Sequence, residues 1–180
     1  MRKCRRYKKR EISLALAEGI FAMGGATVGE RYKTASAVML FLLRTQNGKR
    51  EILLQKRQNT GYADGMWDCG ASGHVEAGET MRVAMAREAA EELGLSLSCA
   101  DLHFATFTHK TSPDGTTYIN VFFYAECGEA QPRICEPDKC AALRWFPLDV
   151  PPETLLADRK AALENFRKGT PYSEFGWAMP

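Results

Sequence analysis

Histidine is scarce in this chain: three residues, His74, His103 and His109, are scattered over 180 positions. Isolated imidazoles of this kind read as solvated or core residues rather than as a metal cluster. Cysteine occurs six times but never as C-x-x-C, and Cys135 and Cys140 are separated by four residues with no histidine nearby, which argues against zinc. A chain of this length has a full-sized core and does not need disulfide staples, so the cysteines read as reduced thiols of a cytoplasmic protein. No apolar run is long enough to span a bilayer. The stretch "ISLALAEGIFAMGGA" after the basic opening resembles a secretory signal, but Glu18 interrupts it and no A-x-A site follows. Internal repeats and low-complexity tracts are also missing.

Charge is unevenly spread. The opening "MRKCRRYKKR" holds seven of the 24 Lys and Arg residues and no acid, so residues 11–180 carry 17 basic against 22 acidic groups, a net of −5. A mildly acidic body argues against nucleic-acid binding by phosphate neutralisation. Residues 1–33 are expected to form a basic, flexible or loosely docked extension, residues 34–169 one domain, and residues 170–180 a tail without clear periodicity.

Within that domain, "ASAVMLFLL" (35–43) is a continuous apolar run expected of a buried strand, and the Asn-Gly of "QNGK" turns it into a second strand, "REILLQKR". "QNTGYADGMWDCGASG" reads as loop plus a short strand leading to Gly73. Met81, Ala84, Met85, Ala89 and Leu93 recur at helical spacing over 80–93, and Gly94 stands where a helix C-terminus expects glycine. Two further strands, 102–110 and 117–126, flank the turn "TSPDGT", a last strand covers 142–148, and a second helix is expected over 153–168. Strands around a central helix, with a second helix at the end, predict an α/β (α+β) fold with a mixed sheet and helices on its faces.

The central helix carries an unusual load. At about 100° per residue, Glu88, Glu91 and Glu92 project within a ~100° arc, opposite the apolar Met85, Ala89 and Leu93. Carboxylates one turn apart repel, which a solvated Glu-rich face tolerates and a bound cation would relieve. Three acidic oxygens on a rigid support suit Mg2+ or Mn2+, and Mg2+ usually shares its shell with substrate phosphates. Arg87 is placed to hold Glu79 of the preceding loop, and the glycines of "GHVEAG" allow close backbone approach.

Gly73, Glu79, Arg87, Glu88, Ala89, Glu91, Glu92, Gly94 and Leu95 fill every position of the pattern G-x5-E-x7-R-E-U-x-E-E-x-G-U, where U is aliphatic. Seven fixed residues match by chance on the order of once in 10^8 to 10^9 start positions at average residue usage. The chain thus resembles the Nudix hydrolase family, the MutT-like diphosphate hydrolases, over roughly 34–167. That resemblance implies an α/β/α sandwich with a central mixed sheet, and Mg2+- or Mn2+-dependent hydrolysis of a nucleoside diphosphate linked to a further moiety X. It implies Glu88, Glu91 and Glu92 as metal ligands, with a carbonyl from Ser72 or Gly73. Gly73, Glu79 and Gly94 would be structural positions of the box, and Arg87 the partner of Glu79 at the catalytic centre. Glu88 or a glutamate outside the box would be the base, with Glu136 ahead of Glu126 and Glu129. Arg57 and Trp67 are candidate substrate contacts, with Tyr62, Phe107 and Tyr118 behind them. A homodimer is common in such a family, and a membrane partner is not expected. Two rivals stand beside this reading. An isopentenyl diphosphate isomerase would share "GH" at the box but needs a cysteine where Ser72 stands and histidines upstream. A non-catalytic nucleotide- or RNA-binding module of the same fold would usually have a broken box.

Overall fold

The computed structural model describes residues 32–178. The signal-like stretch and nearly all of the expected extension lie outside the described residues. Residues 35–43 do form the centre of the sheet, as part of strand β1 (Ala35–Gln46), which turns through Asn47–Gly48 into β2 (Lys49–Arg57). The loop region yields two short strands instead of one, β3 (Trp67–Cys69) and β4 (Ala71–His74), interrupted at Gly70. Helix α1 spans Met81–Leu93. The second hairpin is β5 (His103–Thr111) and β6 (Thr117–Glu126), and β7 (Cys140–Pro147) follows. Helix α2 (Ala157–Lys168) precedes a last strand, β8 (Tyr172–Phe175).

The eight strands form one mixed sheet in the order β3-β2-β1-β6-β5-β8, with β4 on β1 and β7 on β2. β1 runs parallel to β6 and antiparallel to β2 and β4. Its unbroken apolar run follows from its position, because a central strand covered on both faces has no side that water can reach. Val38, Leu40 and Leu42 point to the layer containing Ala84, Met85, Ala89 and Leu93 of α1. Ala37, Met39, Phe41 and Leu43 point the opposite way, to Ala162, Leu163 and Phe166 of α2. There the Phe41 ring sits 5.1 Å from Phe122 and 5.6 Å from Phe166, centroid to centroid. One helix on each face of the sheet makes the expected α/β/α sandwich.

Two sequence expectations shift. Helix α2 starts at Ala157 rather than at 153, because the chain before it is held against β3. The Trp67 N–H donates to the Thr154 carbonyl at 2.9 Å, and the Leu156 N–H to the Trp67 carbonyl at 3.0 Å. The tail also contains structure, since β8 pairs in parallel with β5, with Tyr172 beside Phe107. Four residues are too few to show a period in the sequence, and the pairing is set by neighbours: Thr106 Oγ1 donates to the Thr170 carbonyl and the Phe107 N–H to that of Pro171.

Candidate active site

Strand β4 delivers the loop that starts at Gly73, and α1 lies across it. Thr80 caps the helix N-terminus by accepting the Val83 N–H, and Gly94 ends it in the left-handed region at φ 66°. These two ends fix which residues face β4. Gly73 is where the two elements meet most closely, because any side chain there would collide with the Glu88 carboxylate. Arg87 then braces the loop. Its Nη2 and Nε donate to the two Glu79 oxygens at 2.8 and 3.3 Å, and Nη2 also donates to the His74 carbonyl at 3.1 Å. Its Nη1 reaches Glu88 at 2.7 Å and Glu91 at 3.1 Å. Hydrogen bonding to Glu79 holds the guanidinium charged and depresses the Glu79 carboxyl below its ordinary value.

The acidic face forms as the helix spacing predicts, but its members differ in surroundings. Glu92 is deepest, with Oε2 accepting the Ser72 N–H at 2.9 Å and the Gln55 Nε2 at 3.1 Å. Burial pushes its carboxyl up to about 7; the Ser72 and Gln55 hydrogen bonds oppose that, and the charges of Glu88 and Glu136 reinforce it. Burial also raises Glu88 above the usual carboxylate range, against the pull of Arg87. Glu91 is exposed, with 55% of its side chain open to solvent. Glu136 joins the group from the loop before β7, which is tied to the end of α1 by the Cys135 N–H on the Glu92 carbonyl and the Arg133 N–H on that of Leu93. It bonds Lys139 at 2.9 Å and repels both Glu88 and Glu92, so four carboxylates share one field.

Among the described residues no three acidic, imidazole or thiol side chains converge into a ready-made metal cage. The donor set nevertheless fits a hard divalent cation: oxygen ligands only, two of them half-buried or buried, raised by lost water and by mutual repulsion, with Glu88 seated against Gly73, which has no side chain.

Beside Glu92 and Gly73 opens a cleft of about 830 Å3 on the α2 face of the sheet. Its floor includes Ala37, Met39 and Asn120, and its walls include Arg57, Tyr62, Lys110 and Arg159. The cations are anchored from beneath. Asp68, wholly buried, accepts Arg57 Nη1 at 2.9 Å and Arg159 Nε at 2.7 Å, and Asp158 accepts Arg159 Nη1 at 2.8 Å and Lys110 Nζ at 2.7 Å. Burial alone would raise the Asp68 carboxyl, but the two guanidiniums outweigh it and hold it below its ordinary value. Three cations against two carboxylates leave this network one positive charge in surplus.

The candidate substrate residues divide. Arg57, Tyr62 and Tyr118 line the cleft. Trp67 does not: it is 7% exposed and packs edge-on against Phe146 at 4.8 Å, because alternation along β3 turns it into the α2-side core. Phe107 packs against Tyr172 and the α1-side core. Glu126 pairs with Arg50 at 2.8 Å. Four residues of the site escape the sequence reading: Gln55, Lys110, Asn120 and Arg159. For Asn120 a signal exists, a lone amide in the apolar strand "TYINVFFYAE". Lys110 and Arg159 look like ordinary surface charges until the fold buries their partners.

A sequence model of the NUDIX domain matches residues 33–166. A MutT NUDIX hydrolase from Burkholderia pseudomallei is similar at 28% identity and a TM-score of 0.63, over 74% of this chain and 98% of that one. The NUDIX domain of Shewanella oneidensis NrtR, solved with ADP ribose, shares the fold at 18% identity and TM-score 0.62, over 77% and 90% of the two chains. A C. elegans Ap4A hydrolase does so at 19% identity and TM-score 0.60, over 76% and 97%. With the complete box seated on the loop and helix just described, the chain belongs to the NUDIX domain family and is a Nudix hydrolase.

Proposed function

We propose that the chain hydrolyses the diphosphate linkage of a nucleoside diphosphate joined to a further moiety, using Mg2+ or Mn2+. The observation that carries this reading is the juxtaposition of a repelling carboxylate group with a cleft whose opposite wall is cationic. Acid groups at one end and surplus positive charge at the other match a ligand that is anionic and brings a cation with it.

Glu88 and Glu92 would hold the cation, with Glu91 at its solvent side and the Ser72–Gly73 backbone adjacent. When bound, the ion neutralises charge on the diphosphate and activates water. The protein's own groups do the rest. Arg87 and Glu79 keep the loop fixed on the helix, so that the carboxylates need no reorganisation. Glu88 or Glu136 accepts the proton of the attacking water; burial, reinforced by the charges of Glu91 and Glu136, raises Glu88 above the usual carboxylate range and favours uptake of a proton there. Arg57, Lys110 and Arg159 orient the anionic substrate along the cleft. ADP ribose and Ap4A, named for two proteins of like fold, both contain the phosphoanhydride this arrangement suits. Free thiols at Cys69, Cys127, Cys135 and Cys140 fit action in the cytoplasm.

The test is a hydrolysis screen over nucleoside triphosphates, ADP-ribose, dinucleoside polyphosphates and capped RNA with Mg2+, scored by product identity. Glu92→Gln is expected to lower kcat on the preferred substrate by about 10^2 to 10^3, with an unchanged circular dichroism spectrum. Full activity in that variant would remove the acidic face from the mechanism.

A further inference from the structure

Asn120 is the one described residue with a buried side-chain polar atom that finds no hydrogen-bond partner: its Oδ1 is orphaned while the residue is 3% exposed. A buried amide oxygen left without a donor is costly, and native structures retain few of them. Its position explains the retention. Register on β6 places Asn120 beside Ala37 of β1 and opposite Thr108 of β5, pointing to the α2 face of the sheet, as Phe122 does two residues on. On that face it forms the floor of the cleft. Its floor neighbours, Ala37 and Met39, carry no polar side-chain atom. Asn120 is thus an unpaired acceptor set in an apolar platform, with Arg159 and Tyr62 on the walls.

We propose that Asn120 is the specificity-determining residue of the cleft, its amide oxygen accepting a hydrogen bond from a ring N–H or exocyclic amine of the substrate's nucleobase. This rests on the nucleoside diphosphate reading of the same site. The apolar floor residues accept the flat face of a heterocycle, and the orphaned oxygen selects for the edge. A base with a donor there satisfies the oxygen. A base lacking it leaves a buried acceptor unpaired in the complex, and such sites discriminate far more strongly than apolar pockets do.

The test uses matched pairs that differ by one donor: ATP against purine riboside triphosphate, GTP against inosine triphosphate, UTP against 3-methyluridine triphosphate, and ADP-ribose against its purine riboside counterpart. The wild-type protein is expected to favour the donor-bearing member of at least one pair in kcat/KM by roughly tenfold to a hundredfold. In Asn120→Leu that ratio collapses to near one, whereas Asn120→Asp, which keeps an oxygen acceptor, retains it. Asn120→Ala repeats the measurement at smaller volume, should leucine overfill the floor. Removing the orphaned amide is also expected to leave the melting temperature unchanged or raised, which a purely structural asparagine would not do. Wild-type protein that discriminates in no pair, or a ratio that survives Asn120→Leu and Asn120→Ala, overturns the proposal. Hydrolysis of other diphosphates without turnover of any nucleotide pair overturns it while the hydrolase reading stands. Failure to hydrolyse any diphosphate takes down both.

Discussion

At Gly73 a single methyl group decides whether Glu88 can keep its place. A Cβ there meets the Glu88 carboxylate, so Gly73→Ala must displace either the loop or the proposed ligand. Since α1 is held independently by Met85, Ala89 and Leu93, the carboxylate is the part that yields. The expected outcome is a loss of at least about tenfold in kcat/KM with a melting temperature within a few degrees of wild type, read by steady-state kinetics and a thermal melt. Residues of this kind are legible in the sequence, because the box fixes identity and spacing together. Asn120 shows only as a lone amide in an apolar strand, and Arg159 not at all. Their roles depend on which neighbours the sheet and α2 bring to them, and no local pattern encodes a missing partner. Trp67 shows the converse: an aromatic between turns looks available for stacking, yet strand alternation buries it.

Among the elements, α2 and β3 are joined by charge as well as by packing. Asp68 of β3 grips Arg159 of α2 and Arg57 of β2 without contact with water. Removing it takes from Arg57 its carboxylate partner and leaves Arg159 with Asp158 alone, so Asp68→Ala is expected to destabilise the fold by about 3–5 kcal/mol at neutral pH, measured by urea denaturation. The pH dependence has a definite sign. The folded Asp68 carboxyl lies below its ordinary value of 3.8, so its contribution is fully present above that value and is lost as pH falls through the lower folded value. The gap between wild type and variant should therefore be constant from pH 7 to about 5 and shrink below about 4. On the other face, Met85→Ala opens a cavity in the α1 layer and is expected to cost about 2–5 kcal/mol, because the residue has no exposed surface. The elements themselves follow from period and turn chemistry. The late start of α2 and strand β8 do not, because both are set by hydrogen bonds to distant strands rather than by their own residues.

For the domain as a whole, the sandwich brings groups from both of its helical layers into one site with two poles. Carboxylates from α1 and the loop before β7 gather at one end, and cations anchored by buried aspartates line the other. The order of β1, β6 and β4 places the two ends beside a common floor. That polarity is what a diphosphate with its cation would recognise, and it is the part of the account on which the others depend. The most direct measurement is a crystal structure with Mg2+ and a non-hydrolysable nucleoside diphosphate derivative. The expected result is an ion held by Glu88 and Glu92 and bridging to diphosphate oxygens, with the base lying on Ala37 and Asn120. Diphosphate bound elsewhere, or those carboxylates still turned to Arg87 and Gln55 with no ion between them, would contradict it.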